Sequence, residues 1–319
     1  MWFLIIKGLI FVYSILSYAE FSIIASGGLM PKVLDNVKIG PLNWKMRVHV
    51  PKLVAKARAG QFVILRVNER GERVPMSIAG LDREQGLLTI IYQVVGKTSA
   101  MMTTVPAGGE ILDCVGPLGL PTHVEKWGTA ILVGGGIGIA PIYPIARAWK
   151  KAGNKLYTII GARSKDTLFY EDEHRAIADK LIVCTDDGTY GHHGFVTDPL
   201  KIILDSGEKI EIIMAIGPVP MMKVLSNLTK PYGVPTWVSL NPLMVDGTGM
   251  CGGCRVAVGG TTKFACVDGP DFDGHKVDFD LLTKRLAAYR SQEKESFHKF
   301  VESPGCRLHD SIKELVKTN

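Results

Sequence analysis

Midway along the chain stands the run Ala130-Ile-Leu-Val-Gly-Gly-Gly-Ile-Gly-Ile-Ala-Pro141, in which four apolar residues lead into a glycine-rich turn. The apolar residues predict a buried strand, and residues 141–151 predict a helix soon after the turn. Bare backbone in such a turn can approach a pyrophosphate at the positive end of the helix. The run does not match G-x-G-x-x-G in any register, so a glycine-rich turn without a ligand stays open.

Strands and helices alternate in the residues that follow this turn. Short apolar runs predict further strands, and helix-compatible stretches lie between them. The alternation predicts a parallel sheet over residues 124–231, with the strand–helix loops along one edge. A second loop, Gly217-Pro-Val-Pro-Met221, also follows a strand and begins a helix. Two such loops at one edge of a sheet define a nucleotide crevice.

Residues 30–123 have a different pattern, with short apolar segments separated by Gly or Pro turns. This spacing predicts a small antiparallel barrel. Within it, Arg73-Val-Pro-Met-Ser77 combines a guanidinium that can pair with a pyrophosphate and a hydroxyl that can bond a flavin ring nitrogen. Gly96-Lys97-Thr98-Ser99 offers amides and hydroxyls to a phosphate, but it lacks the G-x-x-x-x-G-K-[ST] spacing, which disfavours a P-loop ATPase.

Three cysteines and an aspartate make up the run Asp246-Gly-Thr-Gly-Met-Cys251-Gly-Gly-Cys254, and Cys266 follows it. Thiolates in tight glycine-rich loops can hold two irons, and plant-type [2Fe–2S] spacing is C-x4-C-x2-C with a distant fourth Cys. Asp246 stands where the first Cys would be, and a carboxylate is a harder ligand that favours ferric iron. A zinc site made by the same four residues is an alternative, as are three unrelated core cysteines.

Composition bounds the class of protein. The chain has 319 residues, 46% of them hydrophobic and 21% charged, which suits two or three globular domains. Its net charge of +6 comes from scattered lysines and arginines, so we expect no nucleic-acid partner. The cysteines outside the motif (Cys114, Cys184 and Cys306) are irregularly spaced, which indicates a reducing cytoplasm rather than a disulfide framework.

Residues 1–29 are strongly apolar, but Lys7 and Glu20 interrupt them. The uncharged stretch is shorter than the roughly 20 residues that a spanning helix needs. Three interpretations remain open: translation that begins at Met30, a real membrane anchor, or a signal peptide cleaved after Ala19. Contact with a membrane is expected only if these residues belong to the protein.

The order of these motifs resembles that of the ferredoxin-reductase superfamily. The resemblance is closest to the electron-transfer subunits of dihydroorotate dehydrogenase B and to the small (alpha) subunits of NADH-dependent ferredoxin:NADP oxidoreductases. It covers roughly residues 31–280, and the Asp/Cys run is its most specific part. The other motifs that carry it are Arg73-x-x-x-Ser77, Gly96-Lys-Thr-Ser99, Gly116-Pro-Leu-Gly119, the run of residues 134–141, Gly161-Ala-Arg163, Thr185-Asp-Asp-Gly188 and Gly217-Pro218.

The resemblance implies a β plus α/β architecture with three cofactors. FAD would bind the barrel, NAD(H) the parallel-sheet domain, and a [2Fe–2S] cluster a small module at residues 232–280. Beyond the reach of the resemblance, the polar amphipathic pattern of residues 281–301 predicts a C-terminal helix, and a tail completes residues 281–319. The implied cofactor-binding residues are Arg73, Pro75, Met76 and Ser77 beside the flavin ring, Gly96, Lys97, Thr98 and Ser99 near its ribityl and pyrophosphate, and Gly135, Gly136, Ile137, Gly138 and Gly217 around the dinucleotide. The implied cluster ligands are Asp246, Cys251, Cys254 and Cys266, and no residue is implied as an acid or base catalyst.

The resemblance also implies a partner, a larger flavoprotein subunit with its own flavin and [4Fe–4S] clusters, and ferredoxin through that subunit. Four cysteines characterise the dihydroorotate branch, whereas an aspartate in first place resembles the ferredoxin:NADP branch. Arg163 could read a 2′-phosphate and favours NADPH, whereas the resemblance implies NADH. A nucleotide-binding regulator stabilised by zinc is the alternative from a different class.

Overall fold

The structure is a computed structural model that describes residues 30–303. Residues 1–29, for which the sequence leaves three interpretations open, lie outside the described residues, as does Cys306. Between residues 30 and 303, no helix is both long enough and apolar enough to cross a membrane.

The first part of the chain forms the antiparallel barrel that its sequence predicts. One sheet has the order β1-β2-β6-β5 and the other has the order β4-β3-β7. Buried apolar side chains such as Met46, Val63 and Ile90 fill the space between the two sheets. The strands are β1 (Lys32–Lys38), β2 (Asn43–His49), β3 (Phe62–Arg66), β4 (Val74–Ser77), β5 (Gly80–Asp82), β6 (Leu87–Gln93) and β7 (Asp113–Leu118), with two short helices, α1 (Pro51–Lys56) and α2 (Lys97–Met102).

The second part forms the predicted parallel sheet. Its strands are β8 (Thr129–Gly135), β9 (Lys155–Ala162), β10 (Lys180–Thr185), β11 (His192–His193), β12 (Ile212–Ile216) and β13 (Thr236–Ser239). Its helices are α3 (Ile139–Lys151), α4 (Glu171–Arg175), α5 (Thr197–Asp205) and α6 (Val219–Thr229). These strands lie in the order β11-β10-β9-β8-β12-β13, so β8 has β9 on one side and β12 on the other. A crevice for a ligand is expected at such a switch point, at the carboxyl ends of the strands.

The cysteine-bearing segment begins and ends in this same sheet. Its strand β16 (Asp271–Asp273) pairs antiparallel with β13, with Val238 opposite Phe272. Residues 236–239 and 271–273 therefore extend the parallel sheet, although both fall within the separate module predicted at residues 232–280. Between these strands lie a hairpin of β14 (Arg255–Val258) and β15 (Thr261–Phe264) and the short helix α7 (Ala265–Asp268).

Two helices follow where the sequence predicts one over residues 281–301. They are α8 (Phe279–Leu286) and α9 (Arg290–Val301), and the chain turns between them. Phe279 and Leu282 of α8 are buried in the core of the sheet and the cysteine segment, whereas Phe297 and Phe300 of α9 pack against the barrel. The prediction of a single helix was therefore wrong, because each half covers a different apolar surface.

One core joins the parts of the molecule. Phe62 and Leu118 of the barrel belong to the same buried cluster as Ile131 of the parallel sheet and as Cys254 and Cys266. Protein interiors are packed as densely as organic crystals, so a shared core fixes the positions of these parts relative to one another.

Candidate functional site

The cysteine motif forms a loop, residues 246–254, which we call the cluster loop. It leaves the sheet after β13 and leads into β14. Gly247 and Gly249 have φ of +76° and +83°, a backbone region that side chains other than glycine rarely adopt. The glycines in the motif thus let the backbone double back.

The four predicted ligands approach one another in two pairs. The Sγ atoms of Cys254 and Cys266 lie 3.2 Å apart, and both side chains are buried. Asp246 Oδ2 accepts a hydrogen bond of 2.6 Å from the amide of Cys251, whose side chain is exposed. Burial opposes ionisation of Asp246, but hydrogen bonds from Thr248 and Cys251 outweigh it and lower the pKa of the carboxyl. As they stand, no three His, Cys, Asp or Glu side chains between residues 30 and 303 are grouped to hold a single metal ion.

The donor set fits an iron–sulfur cluster chemically. Three thiols and a carboxylate lie within one glycine-rich loop and the helix beside it, and two pairs of ligands match the demand of two irons. Burial, together with the neighbouring thiol of Cys254, raises the pKa of Cys266. Metal ligands must be deprotonated, so a bound cation would be needed to offset the raised pKa of Cys266.

The cluster loop lies directly against the barrel. Arg73, just before β4, donates from Nε to the carbonyl oxygen of Val245 at 3.0 Å, next to the first residue of the cluster loop. A Cβ atom on Gly247 would lie 2.6 Å from Cδ1 of Leu118 on β7. The predicted flavin strand thus adjoins the cluster loop, with Pro75 and Met76 half-buried and Ser77 exposed along β4.

The residues Gly96 to Ser99 begin helix α2, and most of their polar side chains bond within the protein. Ser99 Oγ accepts from the amides of Val95 and Gly96, each at 3.0 Å. Thr98 donates its hydroxyl to Glu72 at 2.7 Å, and Lys97 Nζ lies 3.4 Å from the same carboxylate. A Cβ on Gly96 would meet nothing within 4 Å, so the backbone of Gly96 is the open part of this motif.

The two glycine loops of the parallel sheet meet at one edge. Gly136 to Gly138 form a single 3-10 turn between β8 and α3. A Cβ on Gly138 would lie 2.1 Å from the carbonyl oxygen of Ile216, next to Gly217, so this position requires glycine for close approach. Gly136 has φ of +55° and open space around it. Gly135, Gly136, Ile137, Gly138 and Gly217 are therefore neighbours, as the crevice requires.

The ends of β9 and β10 lie beside this turn and carry opposite charges. Gly161 of β9 pairs with Gly135 in register, and the exposed Arg163 follows two residues later. The amides of Asp186 and Asp187 bond the carbonyls of Ala162 and Arg163, each at 3.1 Å. Burial raises the pKa of Asp186, and the charge of Arg163 opposes that rise. The motif Thr185-Asp-Asp-Gly188 is visible in the sequence, but its position beside Arg163 follows only from the pairing of β10 with β9.

Comparison with known proteins supports both parts of this site. Residues 241–278 match the iron-sulfur cluster binding domain of dihydroorotate dehydrogenase B, and residues 132–227 match the oxidoreductase NAD-binding domain. A dihydroorotate dehydrogenase B electron transfer subunit homolog from Thermotoga maritima is 48% identical over 279 residues, which cover 88% of this chain and 98% of that protein. The chain belongs to the family of dihydroorotate dehydrogenase B electron-transfer subunits and their homologs.

Another relative and two solved structures are also similar to this chain. The dihydroorotate dehydrogenase B electron transfer subunit of Fusobacterium nucleatum is 36% identical, over 78% of this chain and 97% of that protein. The solved structure of an NADH-dependent reduced ferredoxin-NADP oxidoreductase, described in connection with flavin-based electron bifurcation, is 48% identical with a TM-score of 0.81, and the match covers 86% of this chain and 99% of that one. Phthalate dioxygenase reductase shares the fold at 17% identity and a TM-score of 0.52.

These findings confirm the predicted family, architecture and class of activity. The protein is a subunit of an NAD-dependent oxidoreductase, with an NAD-binding domain and an iron–sulfur-binding domain. Its relatives are described as electron-transfer subunits, and that description implies a larger catalytic partner subunit. The individual roles of the cofactor residues, and the choice of four ligands, remain predictions.

Proposed function

We propose that this subunit passes electrons between NAD(H), FAD in the barrel and a [2Fe–2S] cluster in the cluster loop, and on to a larger flavoprotein partner. The observation that carries the proposal is the position of the cluster loop. It packs on the barrel through Gly247 and Arg73, lies in a segment that leaves the parallel sheet at β13 and returns to it at β16, and leaves Cys251 exposed. An electron relay needs the cluster to adjoin both the flavin and nucleotide domains and to reach the surface where a partner can bind.

The chain's own residues bind and orient the cofactors in this function. When bound, the flavin would accept a hydride from the nicotinamide and release its electrons singly to the cluster. The turn from Gly136 to Gly138 would present its backbone amides to the pyrophosphate of NAD(H). Burial of Cys254 and Cys266 keeps water from one side of the cluster loop. No acid–base residue is needed.

The ligand set can be tested by substitution. We expect Asp246→Cys to keep an iron–sulfur cluster with a shifted reduction potential, because thiolate replaces a harder carboxylate. Cys251→Ala should lose the cluster, whereas Cys184→Ala, which removes a buried thiol outside the loop, should keep it. Iron content and visible absorption distinguish these outcomes. If Cys251→Ala kept the wild-type spectrum, Cys251 would not be a ligand.

The partner that we propose is an FAD and [4Fe–4S] flavoprotein, which would react with ferredoxin, as in the ferredoxin:NADP branch. Asp246 in the first ligand position supports this branch over dihydroorotate oxidation. Co-purification of the native complex from the cytoplasm, where thiols stay reduced, followed by assays of both reactions, separates the two branches. Oxidation of dihydroorotate by that complex would overturn the choice of branch.

NADH is the nucleotide that we propose for this subunit. The carboxylate of Asp186 lies near Arg163 and would repel a 2′-phosphate, while a ribose hydroxyl can bond to it. Anaerobic visible and EPR spectra, taken before and after NADH, test the whole relay. Bleaching with a [2Fe–2S] signal is expected. A colourless protein that contains zinc would instead support the nucleotide-binding regulator.

A further inference from the structure

The cluster loop has a contact with the C-terminal helices that the relay does not yet use. Arg285, near the end of α8, donates from Nη2 to the carbonyl oxygen of Gly253 at 3.1 Å. Gly253 lies between Cys251 and Cys254. We propose that Arg285 is a positioning residue, which holds the turn between these two cysteines and raises the reduction potential of the cluster. This inference rests on the proposed function, because it assumes that the cluster loop binds iron.

Helix α8 holds Arg285 rigidly in place. Its first residue follows Asp278, which accepts a hydrogen bond of 2.9 Å from the amide of Leu281 and so caps the helix. Phe279 and Leu282 are 6% and 1% exposed, within the core that also contains Cys254 and Cys266. Arg285 follows Leu282 by three residues and therefore lies on the same face of the helix. The guanidinium is thus directed at the cluster loop by buried neighbours.

The hydrogen bond also fixes the direction of a peptide group. A trans peptide is planar, so its N–H points opposite to its C=O. Because Arg285 holds the carbonyl of Gly253 toward α8, the N–H of Cys254 points away from α8. Hydrogen bonds from backbone N–H groups to cluster sulfurs help to set the reduction potential. Loss of Arg285 would free this peptide to rotate.

The positive charge of Arg285 should also raise the reduction potential of the cluster. A guanidinium stays protonated at any ordinary pH. Arg285 is half-buried at a groove whose other lining includes Leu243, Leu282 and Leu286, which reduces screening by water. Reduction adds a negative charge to the cluster, and a nearby fixed cation stabilises that charge. The potential should therefore fall when the cation is removed.

The test is Arg285→Gln in the full chain, with Lys284→Gln as the matched control. The control removes the same charge from the neighbouring residue of α8, whose side chain is exposed. Redox titration followed by EPR should show the equilibrium constant for one-electron reduction about tenfold lower in Arg285→Gln, a shift of about 59 mV. Lys284→Gln should change it less than about threefold, and the g values of the cluster should move only in Arg285→Gln.

Arg285→Lys keeps the argument testable if the Gln variant binds less iron. Lysine retains the charge and can donate a hydrogen bond to the carbonyl of Gly253, so we expect it to restore most of the iron content and the potential. Equal potentials in Arg285→Gln and Lys284→Gln would refute the inference, as would an Arg285→Lys variant as defective as the Gln variant. A wild-type chain with no iron–sulfur signal would refute the proposed function instead, so the two failures are distinguishable.

Discussion

Gly247→Ala tests how tightly the cluster loop is packed on the barrel. The new methyl group would lie 2.6 Å from Cδ1 of Leu118 and 2.8 Å from Cδ1 of Ile64, both of which are buried. Overpacking of this kind costs about 1–3 kcal/mol. The φ of +76° adds about 1–2 kcal/mol for any residue with a Cβ. We therefore expect a total loss of about 2–5 kcal/mol.

Gly207→Ala is the matched control, because Gly207 has the same φ of +76° and open space within 4 Å of its Cβ position. It should lose only the conformational part, about 1–2 kcal/mol. Urea denaturation, followed through the visible absorption of the cluster and through circular dichroism, gives both losses. If the two variants lost the same free energy of unfolding within about 0.5 kcal/mol, the packing of the cluster loop on the barrel would not contribute to stability.

Three further substitutions test other parts of the molecule. Gly138→Ala should weaken NADH binding at least about tenfold, because its methyl would lie 2.1 Å from the carbonyl oxygen of Ile216; an unchanged dissociation constant from stopped-flow reduction would contradict this. Asp186→Ser should raise kcat/KM for NADPH relative to NADH about tenfold, because it removes the carboxylate beside Arg163, and unchanged selectivity would argue against that role. Burial raises the pKa of Asp271 to about 6. Between about pH 4 and pH 6 the native carboxyl therefore keeps a proton that the unfolded chain loses, and the free energy of unfolding falls as the pH rises through this range. Between about pH 5 and about pH 8, wild type should therefore lose about 1–1.5 kcal/mol relative to Asp271→Asn in urea denaturation, and parallel pH profiles would exclude this account.

The sequence predicted the elements whose signals are local. The apolar runs before the glycine turns indicate buried strands, and the spacing of Asp246, Cys251 and Cys254 identifies the cluster loop without any tertiary information. Helix α5 was missed although Leu200, Ile203 and Leu204 have helical spacing, so that signal was available. Strand β16 could not be predicted from the sequence, because its three residues form a strand only by pairing with β13.

The long-range contacts of the cluster loop could not be predicted. Arg73 bonds the carbonyl of Val245, just before the loop, across 172 residues of chain, and Arg285 bonds the carbonyl of Gly253, within the loop, across 32 residues. The position of Asp186 beside Arg163 likewise follows from the pairing of β10 with β9. Spacing along a sequence reveals which residues share a loop, but it cannot reveal which distant cation that loop meets.

The cluster loop is held from three directions, and this has a consequence for electron transfer. The segment that contains it starts from β13 and returns to β16, in the sheet whose glycine turns form the proposed nucleotide crevice. Arg73 holds it to the barrel and Arg285 holds it to α8. Because Cys254 and Cys266 lie in the core shared with the barrel and the sheet, packing rather than a linker sets the distances between the sites. On the proposed ligand set, electrons would move between centres at fixed separation, and the exposed side at Cys251 is where they would leave for the partner.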